Sequence, residues 1–226
     1  MSAGGAGAQV AATLGVDSVD RYRGTGTDGP GAVLRASVMA DSPFAATRGA
    51  YLGVSGQWRT RDAGLASADV LAGWSGRFDD WPGLPALGPD WGWDAGVHRR
   101  HDGEGSRYDF TEAMLGVLAP GAALRAWWSP HYFGGDTSSL YVELNAQRAL
   151  AEHWHAFAHV GTIRYGRRAD GARGASRVDT RLGIGWSLDA WELQLARDAL
   201  VAGHARAELE SGDRHAAWVL GASVAF

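Results

Sequence analysis

Phe226 ends this chain, and every second residue before it is apolar: Val224, Ala222, Leu220 and Trp218. The residues between are mostly small, Ser223, Gly221 and Ala217 among them. A period of two with one greasy face marks a β-strand whose faces meet different surroundings. Running out at a terminal aromatic, it has the form of the closing strand of a bacterial outer-membrane barrel. This constrains the rest of the chain strongly, because a spanning sheet must close on itself. Backbone N–H and C=O groups in lipid have no water to bond, and only a sheet without edges satisfies them all.

The alternation recurs along the chain. Strands with one apolar face are predicted over Val10–Val16, Leu34–Val38, Leu52–Trp58, Ala68–Phe78, Trp93–Val97, Ala113–Val117, Leu124–Trp128, Leu140–Ala146, Ala156–Val160, Val178–Trp186 and Trp191–Leu195. With the closing strand there are about twelve, an even number, as single-chain bacterial barrels have. The expected fold is all-β: a closed, antiparallel, up-and-down transmembrane barrel forming one domain over residues 9–226. Residues 1–8 read as the remnant of a signal peptide or a flexible tail, since Ala6-Gly7-Ala8 fits a secretory cleavage site. Ala119-Pro120-Gly121-Ala122 and Ser187-Leu188-Asp189-Ala190 read as tight turns at the end that holds the termini. The long, charged stretches Tyr165 to Arg177 and Arg197 to His215 read as outer loops. One connection breaks the pattern: Phe78 to Trp91, with three prolines, is long where a short turn is due.

The aromatics add an independent sign of a bilayer. Trp74, Phe78, Trp91, Trp93, Trp154, Trp186, Trp191 and Phe226 are predicted at one end of their strands, and Tyr22, Trp58, Trp128, Tyr165 and Trp218 at the other. Two girdles of rings are what the two faces of a membrane select. Mean hydropathy is only −0.19, and no stretch approaches the ~20 apolar residues of a spanning helix. A barrel has neither signal, because its lipid-facing and lumen-facing residues alternate. The chain has no cysteine, which excludes disulfides and thiolate metal sites, and its net charge of −4 offers no basic face to nucleic acid.

The faces turned away from lipid carry charge. Asp17, Arg21, Arg35, Asp69, Asp94, Glu112, Arg125, Glu143, Asp179, Arg181 and Glu192 are the candidate pore-lining residues. Burying so many charges in a dry sandwich core is prohibitive; a wet or ion-paired lumen accommodates them. The acidic excess points to passage of small hydrophilic solutes or ions with a weak cation preference. Equally open is a salt-bridge network that plugs a narrow barrel. Arg125 and Arg181 are predicted inward, since an arginine at the bilayer midplane costs about 2–4 kcal/mol. Glu112 and Glu143, on the flanking strands, are the nearest candidates to pair with Arg125.

Several stretches then suggest a family. Ser18-Val19-Asp20-Arg21-Tyr22-Arg23-Gly24, followed by Pro30 and Gly49-Ala50-Tyr51-Leu52-Gly53-Val54, resembles the opening of the TorF family of proteobacterial outer-membrane porins. Ala126-Trp127-Trp128-Ser129-Pro130-His131-Tyr132-Phe133-Gly134 is similar to that family's aromatic-Ser-Pro stretch, and Ala156-Phe157-Ala158-His159-Val160-Gly161 to its following strand. Asp20 departs from the pattern, standing where an aromatic is expected. The resemblance covers roughly residues 10 to 200. It implies an outer-membrane barrel with a pore, and no particular substrate.

Other chemistry is weakly signalled. Gly24-Thr25-Gly26-Thr27-Asp28-Gly29 matches G-x-G-x-x-G, but Pro30-Gly31 and then a strand follow, where a dinucleotide site needs a helix. It reads as the first surface loop. His153 and His155, about 7 Å apart on one face of a strand, form a metal hypothesis, although hydrogen-bonded lumen histidines are the simpler reading. Ser129 and His131 lie near an outer strand end, where some outer-membrane barrels hydrolyse lipids, but a nucleophile needs a converging base and orienting group. No catalytic, metal or cofactor site is expected. The alternatives are a closed structural barrel, a lipid-modifying hydrolase-like one, or a soluble lipocalin-like barrel that binds a ligand. Expected partners are outer-membrane lipid and lipopolysaccharide, small polar solutes, and the barrel-assembly machinery through the strand ending in Phe226; no nucleic acid is expected. The expected location is the outer membrane of a Gram-negative cell.

Overall fold

A computed structural model describes residues 9–23, 25–26, 31–61, 63–80, 88, 90–166, 176–202 and 216–226. The chain forms β1 (Val10–Asp17), β2 (Arg21–Tyr22), β3 (Thr25–Gly26), β4 (Val33–Asp41), β5 (Ala50–Arg59), β6 (Leu65–Arg77), β7 (Gly92–Asp102), β8 (Phe110–Ala119), β9 (Ala122–Ser129), β10 (Ser139–Ala149), β11 (Trp154–Tyr165), β12 (Arg177–Leu188), β13 (Trp191–Ala202) and β14 (Ala217–Ala225). All but β2 and β3 join one closed barrel of twelve antiparallel strands, each beside its sequence neighbour. Closure pairs β1 with β14, from Thr13 opposite Ala225 to Asp17 opposite Gly221, and Phe226 N–H donates to the Ala12 carbonyl at 2.9 Å. The strand that opened the sequence argument therefore seals the wall.

Alternation sorts the side chains. Leu14, Leu52, Val54, Val97, Leu115, Leu124, Leu182, Ile184, Leu193 and Leu220 stand exposed on the outside, while their chain neighbours face inward. A soluble barrel cannot present such a wall to water without a large apolar patch. Facing hydrocarbon, the same residues are solvated, so the soluble-barrel alternative is set aside. Trp74, Trp154, Trp191 and Phe226 stand exposed at the end holding Gln9 and Phe226, and Trp58, Trp128 and Trp218 toward the other. Two residues expected in the outer girdle are not there. Tyr22 and Tyr165 pack instead on a buried cluster of Phe110, Tyr132, Tyr141 and Ile163. Tyr165 occupies an inward position of β11, and Tyr22 belongs to the small β2–β3 hairpin that dips into the barrel mouth.

The connections follow the expected asymmetry. Pro120–Gly121 and Asp189–Ala190 are two-residue turns at the terminal end, with Gly121 at φ 70 and Asp189 at φ 51. The longer links, such as 18–32 and 130–138, lie at the opposite end. The proline-rich link from Phe78 to Trp91 is long at the short-turn end; its residues 81–87 and 89 lie outside the described residues, as do 167–175 and 203–215 of the two long outer loops and the leader-like residues 1–8.

Candidate functional site

The outer half of the lumen is filled. Arg23, on the turn between β2 and β3, enters from the mouth and grips Glu112 of β8 with both guanidinium nitrogens, at 2.7 and 2.6 Å. Such a two-pronged pair fixes direction as well as distance. The guanidinium lies 4.2 Å from the centre of the Tyr141 ring, 5.0 Å from Tyr22, and 5.8 Å from Trp127 and Tyr132. The pair is dry: the Arg23 side chain is 9% exposed and that of Glu112 0%. Burial pulls the Arg23 pKa down, but Tyr22 and Glu112 beside it prevail, and it stays well above the ordinary arginine value. Burial also raises the Tyr22 phenol, and pushes that of Tyr132 up to about 12.

Charges radiate from this pair along both walls. On one side His98 lies 3.4 Å from Glu112 Oε2 and 2.9 Å from Asp69 Oδ1. Arg100 reaches Asp69 at 3.2 Å and covers the Tyr22 ring at 4.0 Å. On the other side Tyr141 donates its hydroxyl to Asp179 at 3.1 Å. His159 lies 2.7 Å from the same carboxylate oxygen, 2.8 Å from Asn145 and 3.8 Å from Glu143. Trp127 Nε1–H donates to Glu143 at 2.9 Å, and Arg181 lies 3.6 Å from Asp198. Beneath the Arg23 guanidinium a cavity of about 300 Å³ runs between Tyr22, His98, Trp127, Glu143, His159 and Asp179.

The terminal half is open. A cavity of about 280 Å³ lies against Thr13, Asp17, Arg35, Ser55, Gln57 and Ser223, and one of about 420 Å³ against Asn145, Gln147, His155, Phe157 and His159. Both touch Glu192 and Gln194, so they adjoin across β13. Room is kept by a recurrent arrangement: a ring on one strand lies flat across a glycine on the next. A Cβ at Gly161 would stand 2.6 Å from Tyr141 Cζ, and one at Gly183 2.8 Å from Phe157 Cε2; His155 covers Gly185 in the same way.

Asp17, Arg35, Asp69, Asp94, Glu112, Arg125, Glu143, Asp179, Arg181 and Glu192 all occupy inward positions of the barrel, while the side chain of Arg21 lies outside the described residues. The expected partners of Arg125 need correction. Glu143 is directly opposite it on β10, yet Arg125 Nε–H donates the other way, to Asp94 on β7, at 2.8 Å. The residue between them on β8 is Gly116, and its missing side chain opens the path across that strand. Glu143 is engaged by Trp127 and His159, and Glu112 by Arg23 and His98. Arg181 does pair with an acid, Asp198.

The histidine pair does not form a metal site. β11 begins at Trp154, so alternation does not extend to His153, whose exposed ring packs edge-on against Trp186 at 6.5 Å. His155 turns inward, 3.3 Å from Glu192. Among the described residues no cluster of three or more candidate ligands is suited to a metal ion. Ser129 is inward and fully buried, its hydroxyl without a hydrogen-bond partner, and His131 is exposed on the following loop; they do not assemble an outer-wall hydrolase. In the glycine-rich motif, Thr25–Gly26 forms β3 against β2, and the next element among the described residues is strand β4; Gly24 and residues 27–29 lie outside the described residues.

Sequence reasoning missed Arg23, Arg100 and Asp198. Arg100 and Asp198 continue the inward series of Asp94 and Glu192, so carrying the alternation further along β7 and β13 finds them. Arg23 lies in a loop, where no periodicity points.

The chain matches no protein-family model and no curated protein. Among solved structures it is similar to KdgM porin, with 10% identity over 96% of this chain and 99% of that one, at a TM-score of 0.57. A second structure, KdgM porin in complex with disordered oligogalacturonate, is similar at 10% identity, 96% and 99% coverage and a TM-score of 0.55. At such identity the likeness concerns fold alone, and the fold is that of a closed antiparallel barrel of the bacterial outer membrane.

Proposed function

We propose that this barrel is a channel for small hydrophilic solutes or ions with a weak preference for cations, and that it belongs with the TorF-like porins its motifs resemble. The observation that carries the reading is a charge balance. Among the described residues, five arginines meet a carboxylate inside the barrel, Arg23–Glu112, Arg35–Asp17, Arg100–Asp69, Arg125–Asp94 and Arg181–Asp198, while Arg59 and Arg177 hold inward positions at the outer ends of β5 and β12. Glu143, Asp179 and Glu192 remain without an arginine. They gather on the β10–β13 wall beside His155 and His159, where they border the cavities. Carboxylates lining a narrow aqueous path favour cations. Oligogalacturonate, held by a barrel of this fold, is a chain of sugar carboxylates; the acidic excess here disfavours such a cargo.

Planar-bilayer recording under a salt gradient tests this. A reversal potential of cationic sign is expected, and it should shrink when Glu143, Asp179 and Glu192 become amides. The absence of conductance would favour a second reading, a barrel closed at rest, which the Arg23 plug specifically supports. Outer-membrane lipid and lipopolysaccharide around the wall, and insertion by barrel-assembly machinery that reads the strand ending in Phe226, belong to either reading.

A further inference from the structure

Of the five arginines paired with a carboxylate inside the barrel, four grow from barrel strands and cannot leave the lumen. Arg23 is different: it stands on a turn, with its backbone at φ 49, in the left-handed region that a side chain other than glycine rarely adopts. Arg23 and Tyr22 belong to the separate β2–β3 hairpin, so withdrawing them breaks no strand pairing of the barrel wall. What stays behind is fixed to the rest of the barrel: the Glu112 carboxylate at 0% exposure, and the rings of Trp127, Tyr132 and Tyr141. An unpaired carboxylate in such a place is strongly unfavourable, and His98 at 3.4 Å is its other close partner. The arginine therefore leaves readily only when another cation takes its place.

We propose that the box of Glu112, Trp127, Tyr132 and Tyr141 is a recognition site for guanidinium and alkylammonium cations, occupied at rest by the chain's own Arg23. The carboxylate accepts two parallel N–H bonds and the rings attract the cation over their faces. A planar guanidinium matches both and should bind better than a compact ammonium. The cavity beneath Arg23 gives a solute arriving from the terminal half a place to wait. The inference deepens the cation preference proposed above, and its binding test does not depend on conductance.

The test uses Arg23→Ala in detergent, with methylguanidinium chloride as probe and sodium chloride at equal concentration as control. Folding is checked by the shift in gel mobility between unheated and boiled samples. A ligand of the folded state alone raises the melting temperature by mass action. Methylguanidinium should raise that of Arg23→Ala saturably, move the wild type much less at the same concentration because Arg23 competes for the box, and have no effect once Glu112→Gln is added. If Arg23→Ala does not fold unaided, the folded fraction after refolding into detergent with millimolar methylguanidinium reads the same quantity, and rescue supports the site. No saturable shift and no rescue, or an equal response with Glu112→Gln present, overturns it. A silent bilayer with a saturable shift would sink the channel reading and leave this site standing.

Discussion

Removing Arg125 should harm this barrel less if Asp94 is removed with it. The Asp94 side chain is 7% exposed and receives the Arg125 Nε–H at 2.8 Å, while the Arg125 side chain is 30% exposed. The two therefore lose differently. Arg125→Ala strands a nearly buried carboxylate; breaking a fully buried pair costs about 3–5 kcal/mol, and discounting for the partly exposed arginine leaves about 2–3 kcal/mol. Asp94→Asn leaves a cation with access to water and an amide that still accepts a hydrogen bond, a loss of about 1 kcal/mol. The double variant strands no charge and should also lose about 1 kcal/mol. Adding the second substitution is thus expected to restore stability, with a coupling of about 2–3 kcal/mol between the sites. Reversible urea unfolding in lipid vesicles, followed by tryptophan fluorescence, measures all four corners of the cycle. Additive losses, or a double variant weaker than Arg125→Ala, would refute the pairing across Gly116.

Gly116→Ala should disturb the same place: its Cβ would stand 3.0 Å from both Arg125 Cγ and Asp94 Cγ, so a reduced yield of the heat-modifiable folded form is expected. Leu182→Arg places a cation on the outer wall, where Leu182 is 67% exposed; a loss of about 2–4 kcal/mol is expected near the midplane, measured by unfolding in vesicles. The plug should loosen in alkali. Burial raises the Tyr132 phenol to about 12, against about 10 in an unfolded chain, so between those values the folded form holds the proton more firmly. Stability from this group is complete below pH 10 and falls as pH rises through 12. Conductance, if carried past the plug, should climb over that window in the wild type, and Tyr132→Phe should remove the step.

Much of the barrel is legible because a membrane allows so few solutions. Alternation alone separates Leu182 and Ile184 from Arg181 and Gly183, and a slip of one residue would exchange their faces. What alternation cannot give is reach. Arg125 ignores the acid opposite it for one two strands away, since a missing side chain at Gly116 matters more than nominal adjacency. Nor does periodicity describe a loop that folds inward. Tyr22 sits near an outer strand end in sequence and reads as a girdle residue; the hairpin carries it and Arg23 into the mouth instead. His153 shows the converse error, a strand period extended beyond the point where the strand begins.

The rings lying across glycines have a consequence for how such a barrel changes over time. Phe157 over Gly183 and His155 over Gly185 lean along the wall of the open terminal half, while Tyr141 over Gly161 does so within the filled outer half. A single methyl group at Gly185 meets the His155 ring first and is expected to lift it off the wall toward the centre. The bore is thus adjustable at Gly185 with strand number and lipid-facing surface left as they are, whereas at Gly183 a Cβ would also stand 2.7 Å from the Leu195 carbonyl oxygen and the backbone must give as well. Calibre becomes a trait of the smallest residue, and a lineage of such barrels can widen or narrow its passage without rebuilding it.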